Sequence, residues 1–349
     1  MNILIAGGAG FIGRFFCERL VERGQSVTVL DLVVPTDLPA GIRVVKGDIR
    51  DPEAVRAALQ GCDSVLQLAA AHHDFGISPE TYFSVNRDGA RVLCQVMDEL
   101  KVRRVCSYST VAVYGDAPEP RHEETPCHPV GPYGESKWAG EEVIREWVDQ
   151  GASRSALILR PTVVFGPHNY ANMFALIRQI DTGRFISVGS GRNIKSLCYV
   201  ENLVDATLHV WDDTEHAPFE VYNYVDKPDL CSREIIDAVR RALGRRPPRV
   251  SIPLWAALAA GFPFDLFTAL SGKDLAISMA RIKKFAQVQS KFEADKIRAT
   301  GFRPRVPLVE GISRMVEWYR IDGKIRPPVR HLPPAEIVVR DVETRQVSA

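Results

Sequence analysis

The feature that most constrains the fold is a glycine-rich turn between an apolar strand and a helix near the N-terminus. The predicted strand Asn2–Ala6 leads into Gly7-Gly8-Ala9-Gly10-Phe11-Ile12-Gly13, where a helical pattern begins. Glycines permit the tight turn and let backbone approach a phosphate, while the helix N-terminus offers unpaired N–H donors and a partial positive charge. This context predicts a dinucleotide site in a βαβ unit.

The first half of the chain continues the alternation of short β-branched runs and helical patterns that is typical of a parallel sheet. The predicted strands are Asn2–Ala6, Ser26–Leu30, Arg43–Lys46, Ser64–Leu68, Arg104–Ser109 and Ala156–Leu159. The predicted helices are Gly10–Arg23, Pro52–Leu59, Ser84–Leu100, Tyr133–Gln150, Met173–Gly183, Glu201–Asp212, Ser232–Leu243 and Leu308–Tyr319. The fold class is therefore α/β, a Rossmann doubly wound parallel sheet followed by a smaller mixed α/β C-terminal substrate lobe.

Changes in pattern divide the chain into three predicted parts. Residues 1–165 form the nucleotide-binding Rossmann domain, and segments around 192–225 return to it. Residues 166–326 form the substrate lobe. Residues 327–349, rich in proline and charge, form an extended or disordered tail.

An acidic residue at the end of the second strand favours NAD over NADP. Asp31 lies about 20 residues beyond the glycines, where a carboxylate accepts hydrogen bonds from ribose hydroxyls and repels a 2′-phosphate. The next residues, Leu32-Val33-Val34, offer no arginine for such a phosphate. The expected cofactor is NAD.

A tyrosine and a lysine four residues apart supply a candidate acid/base group. Tyr133 and Lys137 lie one helical turn apart in Tyr133-Gly134-Glu135-Ser136-Lys137 and so share a helix face. A phenol titrates near ~10, and a neighbouring ammonium favours its ionised form and lowers its pKa. Tyr133 could then remove a hydroxyl proton while hydride leaves the same carbon.

The overall composition excludes several classes of protein. The 44 Lys/Arg and 43 Asp/Glu nearly cancel, so nucleic-acid binding is not expected. The seven scattered cysteines form no ligand cluster, which predicts no metal and favours reduced thiols in the cytoplasm. The N-terminus lacks a signal-peptide pattern, and the most apolar stretch, Ile252–Leu270, is too interrupted for an ordinary transmembrane helix.

Two features of the C-terminal half leave alternatives open. Between Cys231 and Arg330 there are 20 Lys/Arg against 9 Asp/Glu, which indicates either a solvated basic surface or a lobe that receives an anionic group such as a diphosphate. Ile252–Leu270 is interpreted as a buried or lid-like segment, with interfacial membrane contact as the alternative.

Together these motifs resemble the extended short-chain dehydrogenase/reductase family, especially its nucleotide-sugar epimerase/dehydratase branch, over roughly residues 1–320. The motifs that carry the resemblance are Gly7–Gly13, Asp48-Ile49, Leu68-Ala69-Ala70, Asn86, Ser109-Thr110 before Val113-Tyr114-Gly115, Tyr133–Lys137 and Leu159-Arg160-Pro161. The resemblance implies a Rossmann enzyme that acts on a nucleotide diphosphate sugar, together with a role for each matching residue.

By that resemblance, Thr110, Tyr133 and Lys137 are catalytic. Tyr133 is the acid/base, Lys137 binds the nicotinamide ribose, and Thr110 binds the reacting sugar oxygen. The implied cofactor-binding residues are Gly7, Gly10, Phe11, Ile12, Gly13, Asp31, Asp48, Ile49, Leu68, Ala69, Ala70, Asn86, Tyr133, Lys137, Pro161 and Val163. The candidate substrate-binding residues are His72, Thr110, Thr162, Asn172, Lys195 and Arg281, of which Lys195 stands where the family binds the diphosphate.

The residues after Thr110 reduce the number of reactions that the resemblance implies. Dehydratases and decarboxylases of this family place an acid there, whereas this chain has Val111 and Ala112. The resemblance then implies an NAD-dependent epimerase that acts at C4 through a transient 4-keto sugar, in surface polysaccharide or related sugar metabolism. The alternatives are a 4-keto-sugar reductase, a 3β-hydroxysteroid-type dehydrogenase and a non-catalytic NAD-binding sensor. The family also pairs through helices 84–100 and 133–150, which implies a homodimer.

Overall fold

A computed structural model describes residues 1–35, 37–72, 77–212, 217–246, 251–259, 289–325, 335 and 343–347. Its strands are β1 Asn2–Ala6, β2 Ser26–Asp31, β3 Arg43–Lys46, β4 Ser64–Gln67, β5 Arg104–Tyr108, β6 Ser155–Pro161, β7 Val163–Phe165, β8 Ile194–Lys195, β9 Leu197–Tyr199, β10 Phe219–Tyr224, β11 Leu230–Cys231 and β12 Glu343–Gln346. Its helices are α1 Phe11–Glu22, α2 Pro52–Leu59, α3 Pro79–Phe83, α4 Gly89–Glu99, α5 Pro132–Asp149, α6 Asn172–Asp181, α7 Val200–Asp212, α8 Ser232–Ala242, α9 Asp295–Ala299 and α10 Leu308–Trp318.

The main sheet has the strand order β10-β6-β5-β4-β1-β2-β3-β12. All neighbouring pairs from β10 to β3 are parallel, and β12 adds antiparallel to β3. The chain reverses its direction of winding between β1 and β4, and α/β sheets bind ligands at such a switch point. The predicted doubly wound Rossmann sheet is confirmed.

Buried aliphatic side chains on both faces explain why these strands form a central sheet. Ile3 and Ile5 of β1 pack into one apolar cluster with α1 and α7, whereas Leu4 and Ala6 pack into a second with α2, α4 and α5. Successive residues of a strand point to opposite faces, so both clusters depend on the same short apolar run. The carboxyl ends of the strands are thereby held at one edge.

Local capping residues begin two of the helices that cover this sheet. The Asp51 side chain accepts a hydrogen bond from the Glu53 N–H at the start of α2. The Ser78 side chain accepts from the Thr81 N–H at the start of α3. Proline occupies an early position in each helix, where its missing N–H costs nothing.

The predicted helix Ser84–Leu100 differs from the structure at its start and in its regularity. Helical residues begin at Pro79, and residues 84–88 form a π turn between α3 and α4. Asn86 lies in this turn, where a wider backbone loop aims its side chain toward α5 and the end of β4. Hydrophobic periodicity predicts a helix here but carries no signal for one extra residue in a turn.

A smaller unit follows β6 and contains two short ladders, a parallel pair of β7 with β9 and an antiparallel pair of β8 with β11. Its separate apolar cluster includes Phe174 of α6, Val239 of α8 and Ile312 of α10. This cluster is separate from the two clusters that pack on the main sheet, which supports a mixed α/β lobe with a core of its own.

Candidate active site

The glycine-rich turn forms a tight cradle beside the end of β4. Gly7 has a positive φ of 84°, and a Cβ at this position would lie 2.6 Å from the Ala69 backbone nitrogen. A Cβ on Gly13 would lie 2.6 Å from the Gly7 carbonyl oxygen. Larger side chains would therefore push the turn away from both α1 and β4, and the predicted glycines are required by close packing.

Asp31 ties this turn to the end of β2. Its Oδ2 accepts a hydrogen bond from the Ala9 N–H at 3.0 Å, and its Oδ1 accepts from the Val33 N–H at 3.2 Å. Burial raises the pKa of the carboxyl to about 6, against the lowering effect of those backbone donors. A carboxylate that has lost most of its contact with water is a strong hydrogen-bond acceptor for the hydroxyls of a bound ribose.

Asp48 is held by an arginine that the sequence motifs did not single out. Arg50 Nη2 and Asp48 Oδ2 are 2.6 Å apart, and both side chains are almost fully buried. The Arg50 guanidinium also donates to Ser84 Oγ at 3.0 Å and to the Ala335 carbonyl at 2.8 Å. Asp48 therefore forms a rigid wall of the site rather than a freely available acceptor.

These residues line a cavity of about 150 Å³ at the carboxyl edge of the sheet. Its lining residues are Gly7, Gly10, Leu30, Asp31, Leu32, Val33, Gly47, Asp48, Ile49, Leu68, Ala69, Ala70, His72 and Val85. Nine of the predicted residues are thus brought together, including His72, which lies with the nucleotide-binding residues. Phe11 and Ile12 are not among these lining residues; the Phe11 ring meets the Phe15 ring edge to face, and Ile12 packs against the core.

Asn86 connects the cavity with helix α5. Its Oδ1 accepts from the Ala71 N–H at 2.9 Å, while its Nδ2 donates to the Ala71 carbonyl and to Ser136 Oγ at 2.9 Å. A Cβ on Gly140 would lie 2.6 Å from the Asn86 carbonyl oxygen, so α5 packs directly on the π turn. The segment after β4 and the first turns of α5 are consequently one rigid unit.

The short 3₁₀ turn that follows Thr110 packs against the start of α5, where Tyr133 lies. Thr110 caps the turn Val111–Tyr114, and its Oγ1 accepts from the Ala112 N–H at 3.2 Å. A Cβ on Gly134, the residue after Tyr133, would lie 3.0 Å from the Ala112 carbonyl oxygen. This contact packs the turn that Thr110 begins against the first turn of α5, which carries Tyr133.

Lys137 lies one turn along α5 and is fixed from the opposite side by a strand. Its Nζ donates to the Tyr108 carbonyl at the end of β5. Desolvation lowers the pKa of Lys137 to about 8, and nearby Glu141 partly opposes this effect. The Tyr133 ring meets Tyr82 edge to face, with ring centroids 6.2 Å apart.

A buried ion pair beneath Lys137 was not predicted from the sequence. Arg160 of β6 pairs with Glu141 of α5 at 2.6 Å, with both side chains 3% exposed. Arg160 also donates to the Tyr114 hydroxyl, which donates to Asn223 Oδ1 at 2.7 Å. Arg160 was present in the motif Leu159-Arg160-Pro161, but its partners Glu141 and Tyr114 come from two other segments of the chain.

Two buried hydroxyls near the ends of β5 and β6 lack a hydrogen-bond partner in the structure. They are Ser109 Oγ and Thr162 Oγ1, each on a residue that is 7% exposed. Their backbone N–H groups donate to Leu159 and Tyr224 respectively. Buried unpaired hydroxyls are costly, and a polar ligand at this edge would satisfy them.

The remaining predicted residues are more widely spread. Pro161 is buried in β6, whereas Val163 is 47% exposed. Asn172 is exposed at the start of α6, and Lys195 is half-buried opposite Leu230 in the β8–β11 ladder. Arg281 lies outside the described residues.

Comparison with known proteins shows the family of the chain. Residues 3–224 match the NAD dependent epimerase/dehydratase family. This chain belongs to that family. Its members use NAD, and the glycine cradle, the half-buried Asp31 carboxylate and the unpaired Ser109 and Thr162 hydroxyls fit a dinucleotide with a polar amide end.

Several members of the family are similar over most of the chain. The N-acetyl-alpha-D-glucosaminyl-diphospho-ditrans,octacis-undecaprenol 4-epimerase of Escherichia coli O157:H7 is 36% identical over 325 residues, which cover 93% of this chain and 96% of the relative. The UDP-glucose 4-epimerase of Streptomyces lividans is 29% identical over 281 residues, which cover 72% of this chain and 83% of the relative. A crystal structure of a UDP-glucose 4-epimerase gives a TM-score of 0.73 at 25% identity and covers 93% of this chain and 98% of that one.

Proposed function

We propose that the protein is an NAD-dependent 4-epimerase of a sugar carried on a diphosphate. The observation that carries this proposal is the packing of the Thr110 turn and the Tyr133–Lys137 helix face beside a dinucleotide cavity. Val111 and Ala112 provide no acid next to Thr110, so the same site is poorly suited to eliminating water. The 36% identical relative is named as a 4-epimerase.

In this mechanism, the chain's own residues orient the sugar and move one proton. NAD, when bound, supplies reversible acceptance of a hydride from C4 of the sugar. Tyr133 removes the C4 hydroxyl proton and later returns it, while Thr110 holds the same oxygen. The charged form of Lys137 stabilises the ionised phenol electrostatically. Inversion requires the 4-keto sugar to present its other face before C4 is reduced again.

Two versions of this function differ in the group to which the sugar diphosphate is attached. The sequence analysis predicts a nucleotide, whereas the E. coli relative is named for an undecaprenol-linked sugar. Both carry the diphosphate for which Lys195 is the candidate contact. The polyprenyl version is favoured here because the relative aligns over nearly the whole chain, including the substrate lobe.

A substrate panel tests the reaction and the carrier together. Purified protein is incubated with detergent-dispersed polyprenyl diphosphate N-acetylglucosamine, UDP-N-acetylglucosamine and UDP-glucose, and the sugars are analysed by NMR after release. We expect the C4 epimer to appear without net NAD consumption and fastest from the polyprenyl substrate. Stoichiometric NADH with a stable keto product would instead establish a dehydrogenase, and the proposal would fail.

The cellular setting and assembly belong to the same proposal. All seven cysteines are free thiols, which suits a reducing compartment such as the cytoplasm. Among the described residues, no helix has the length and apolar character needed to cross a membrane. We propose a homodimer that forms through α4 and α5 and acts in polysaccharide or related sugar synthesis.

A further inference from the structure

Four segments of the substrate lobe converge at the C-terminal ends of α6, α8 and α10. The end of α6 is tied to residues beyond α8, because Arg245 Nη2 donates to the Asp181 carbonyl at 2.8 Å. The Ile252 N–H donates to the Ser187 carbonyl at 2.9 Å. Residues 181–188, 240–246 and 251–255 therefore form a continuous surface.

The end of α10 joins this surface through two further contacts. The Tyr319 hydroxyl donates to Asp181 Oδ2 at 3.1 Å. The Arg320 guanidinium donates to the Leu243 carbonyl at 3.3 Å. We call residues 181–188, 240–246, 251–255 and 319–325 the basic–apolar surface.

Large apolar side chains on each side of this surface are exposed. Trp255 is 74% exposed and Ile186 is 60% exposed. At the end of α10, Ile325 is 72% and Ile321 is 67% exposed. Isolated exposed apolar residues need no explanation, but four large ones on adjoining segments, one of them a tryptophan, indicate a binding surface.

The same segments carry a cationic excess. The exposed cations are Arg184, Arg241, Arg245, Arg246, Arg320 and Lys324. The acids on these segments and on the adjoining end of α10 are Asp181 and Asp322, both half-buried, and the exposed Glu317. The sequence has five arginines between Arg240 and Arg249, and no Asp or Glu between Asp237 and Asp265.

We propose that the basic–apolar surface binds the face of an anionic lipid bilayer. Clustered arginines attract acidic headgroups, while tryptophan and isoleucine insert at the boundary between headgroups and acyl chains. This inference rests on the proposed function with a polyprenyl diphosphate sugar, whose lipid portion resides in a membrane. An interfacial surface gives the enzyme access to that substrate without a spanning helix.

The distance along the chain from this surface to the candidate diphosphate contact is short. Val188 pairs with Ile252 at the edge of the surface, and Lys195 follows seven residues later. Seven fully extended residues span at most about 25 Å. A diphosphate near Lys195 could thus remain attached to a lipid chain that enters the bilayer beside Trp255.

Vesicle co-sedimentation tests the surface directly. The full-length protein is mixed with vesicles of phosphatidylcholine alone or of phosphatidylcholine and phosphatidylglycerol in equal parts, at several salt concentrations. We expect at least tenfold stronger partitioning to the phosphatidylglycerol vesicles, falling as salt rises. Equal, weak partitioning to both compositions would overturn the inference and identify the face as merely solvated.

Two variants separate the contributions of charge and apolar contact. Arg245→Glu with Arg246→Glu should lower partitioning at least tenfold at low salt, and Trp255→Ser should remove the part that persists at high salt. The matched control, Arg23→Glu with Lys101→Glu, makes the same change in net charge at exposed sites just beyond the ends of α1 and α4, outside the basic–apolar surface. Equal losses in the control would show general electrostatics and contradict a defined surface.

The failure of this inference can be distinguished from failure of the proposed function. Each variant is also assayed on detergent-dispersed polyprenyl diphosphate N-acetylglucosamine, where a membrane surface is not needed. We expect conversion within threefold of the parent protein in detergent, with loss only when the substrate is in vesicles. Membrane binding without epimerisation of any substrate would leave the surface intact and refute the 4-epimerase proposal.

Discussion

At the scale of single residues, the proposed chemistry depends on the phenol of Tyr133. Tyr133→Phe keeps the ring and removes the group that exchanges a proton, so we expect epimerisation to fall by about 10³-fold or more. NAD affinity should change less than threefold, because the nucleotide cavity is lined by other residues. Turnover and isothermal titration with NAD measure the two effects.

Tyr82→Phe is the matched control, since Tyr82 lies edge to face with Tyr133 and its ring is retained in the variant. This control should keep activity within a few-fold. Full activity of Tyr133→Phe would eliminate the acid/base assignment and favour a non-catalytic NAD-binding role.

The raised pKa of Asp31 leads to a prediction of how NAD binding depends on pH. Ribose donors favour its carboxylate, whose pKa burial raises to about 6 before the ligand binds. NAD affinity should be constant above that pH and about tenfold weaker at pH 5, because binding must then release a proton. Fluorescence titration between pH 5 and 8 measures this, and Asp31→Asn should bind weakly with little change over that range.

The same carboxyl has the opposite effect on the stability of the protein without NAD. Between its ordinary pKa and about 6, the folded protein holds a proton that the unfolded chain has lost. The contribution of Asp31 to the free energy of unfolding therefore declines as pH rises through this window. A contribution that instead increased with pH would contradict the raised pKa.

Residue-level prediction succeeded in locating Asp31 at the cavity because its spacing from the glycines is fixed by one βαβ unit. It did not find Arg50, which closes over Asp48 and reaches the Ala335 carbonyl. Nothing local in Asp48-Ile49-Arg50 specifies a partner 285 residues away, because that contact exists only in the assembled fold.

At the scale of elements, α5 is fastened to β6 by the buried Glu141–Arg160 pair. Removing the Glu141 carboxylate leaves the Arg160 guanidinium buried without a counter-charge. We therefore expect Glu141→Leu to lower the free energy of unfolding by about 3–5 kcal/mol. Glu141→Leu combined with Arg160→Met should recover part of that loss, because no lone buried charge remains. Urea unfolding of both variants measures the difference.

The exposed pair Arg56–Glu99 supplies the control for this experiment. Both of its side chains are 37% exposed, so Glu99→Gln should change the free energy of unfolding much less than Glu141→Leu does. A comparable loss in the two single variants would show that burial does not set the strength of the α5–β6 attachment.

Element boundaries were predictable where apolar periodicity is strong and local. Asn2–Ala6, Arg43–Lys46 and Pro52–Leu59 agree with the structure residue for residue. The π turn at 84–88 and the short β7–β9 and β8–β11 ladders were not predicted. Two or three residues are too few to reveal a period, and their pairing is decided by distant segments.

At the scale of the whole molecule, assembly remains a prediction. A homodimer through α4 and α5 should give a mass by light scattering of twice the chain mass of 38.8 kDa. The mass should not change between 10 and 100 µM protein if the contact is obligate. A single-chain mass over this range would rule out the dimer, and it would leave the active site as described because its residues come from one chain.

The doubly wound parallel sheet was predicted from the sequence, but the strand that covers its β3 edge was not. That edge is occupied by residues 343–346, and Val347 N–H donates to the Ile42 carbonyl at 3.0 Å. The prediction treated this region as an extended or disordered tail, since its proline and charge content carries no apolar alternation. Backbone hydrogen bonds to β3 hold residues 343–346 in a strand that their own composition does not predict.

This closing strand also has a consequence for synthesis on the ribosome. The residues that cover β3 follow it by nearly 300 positions, so the nascent sheet keeps one unsatisfied backbone edge while most of the polypeptide is being made. During that interval the partly made protein can pair with another extended chain. The final strand removes this hazard only as the last part of the sheet to be made.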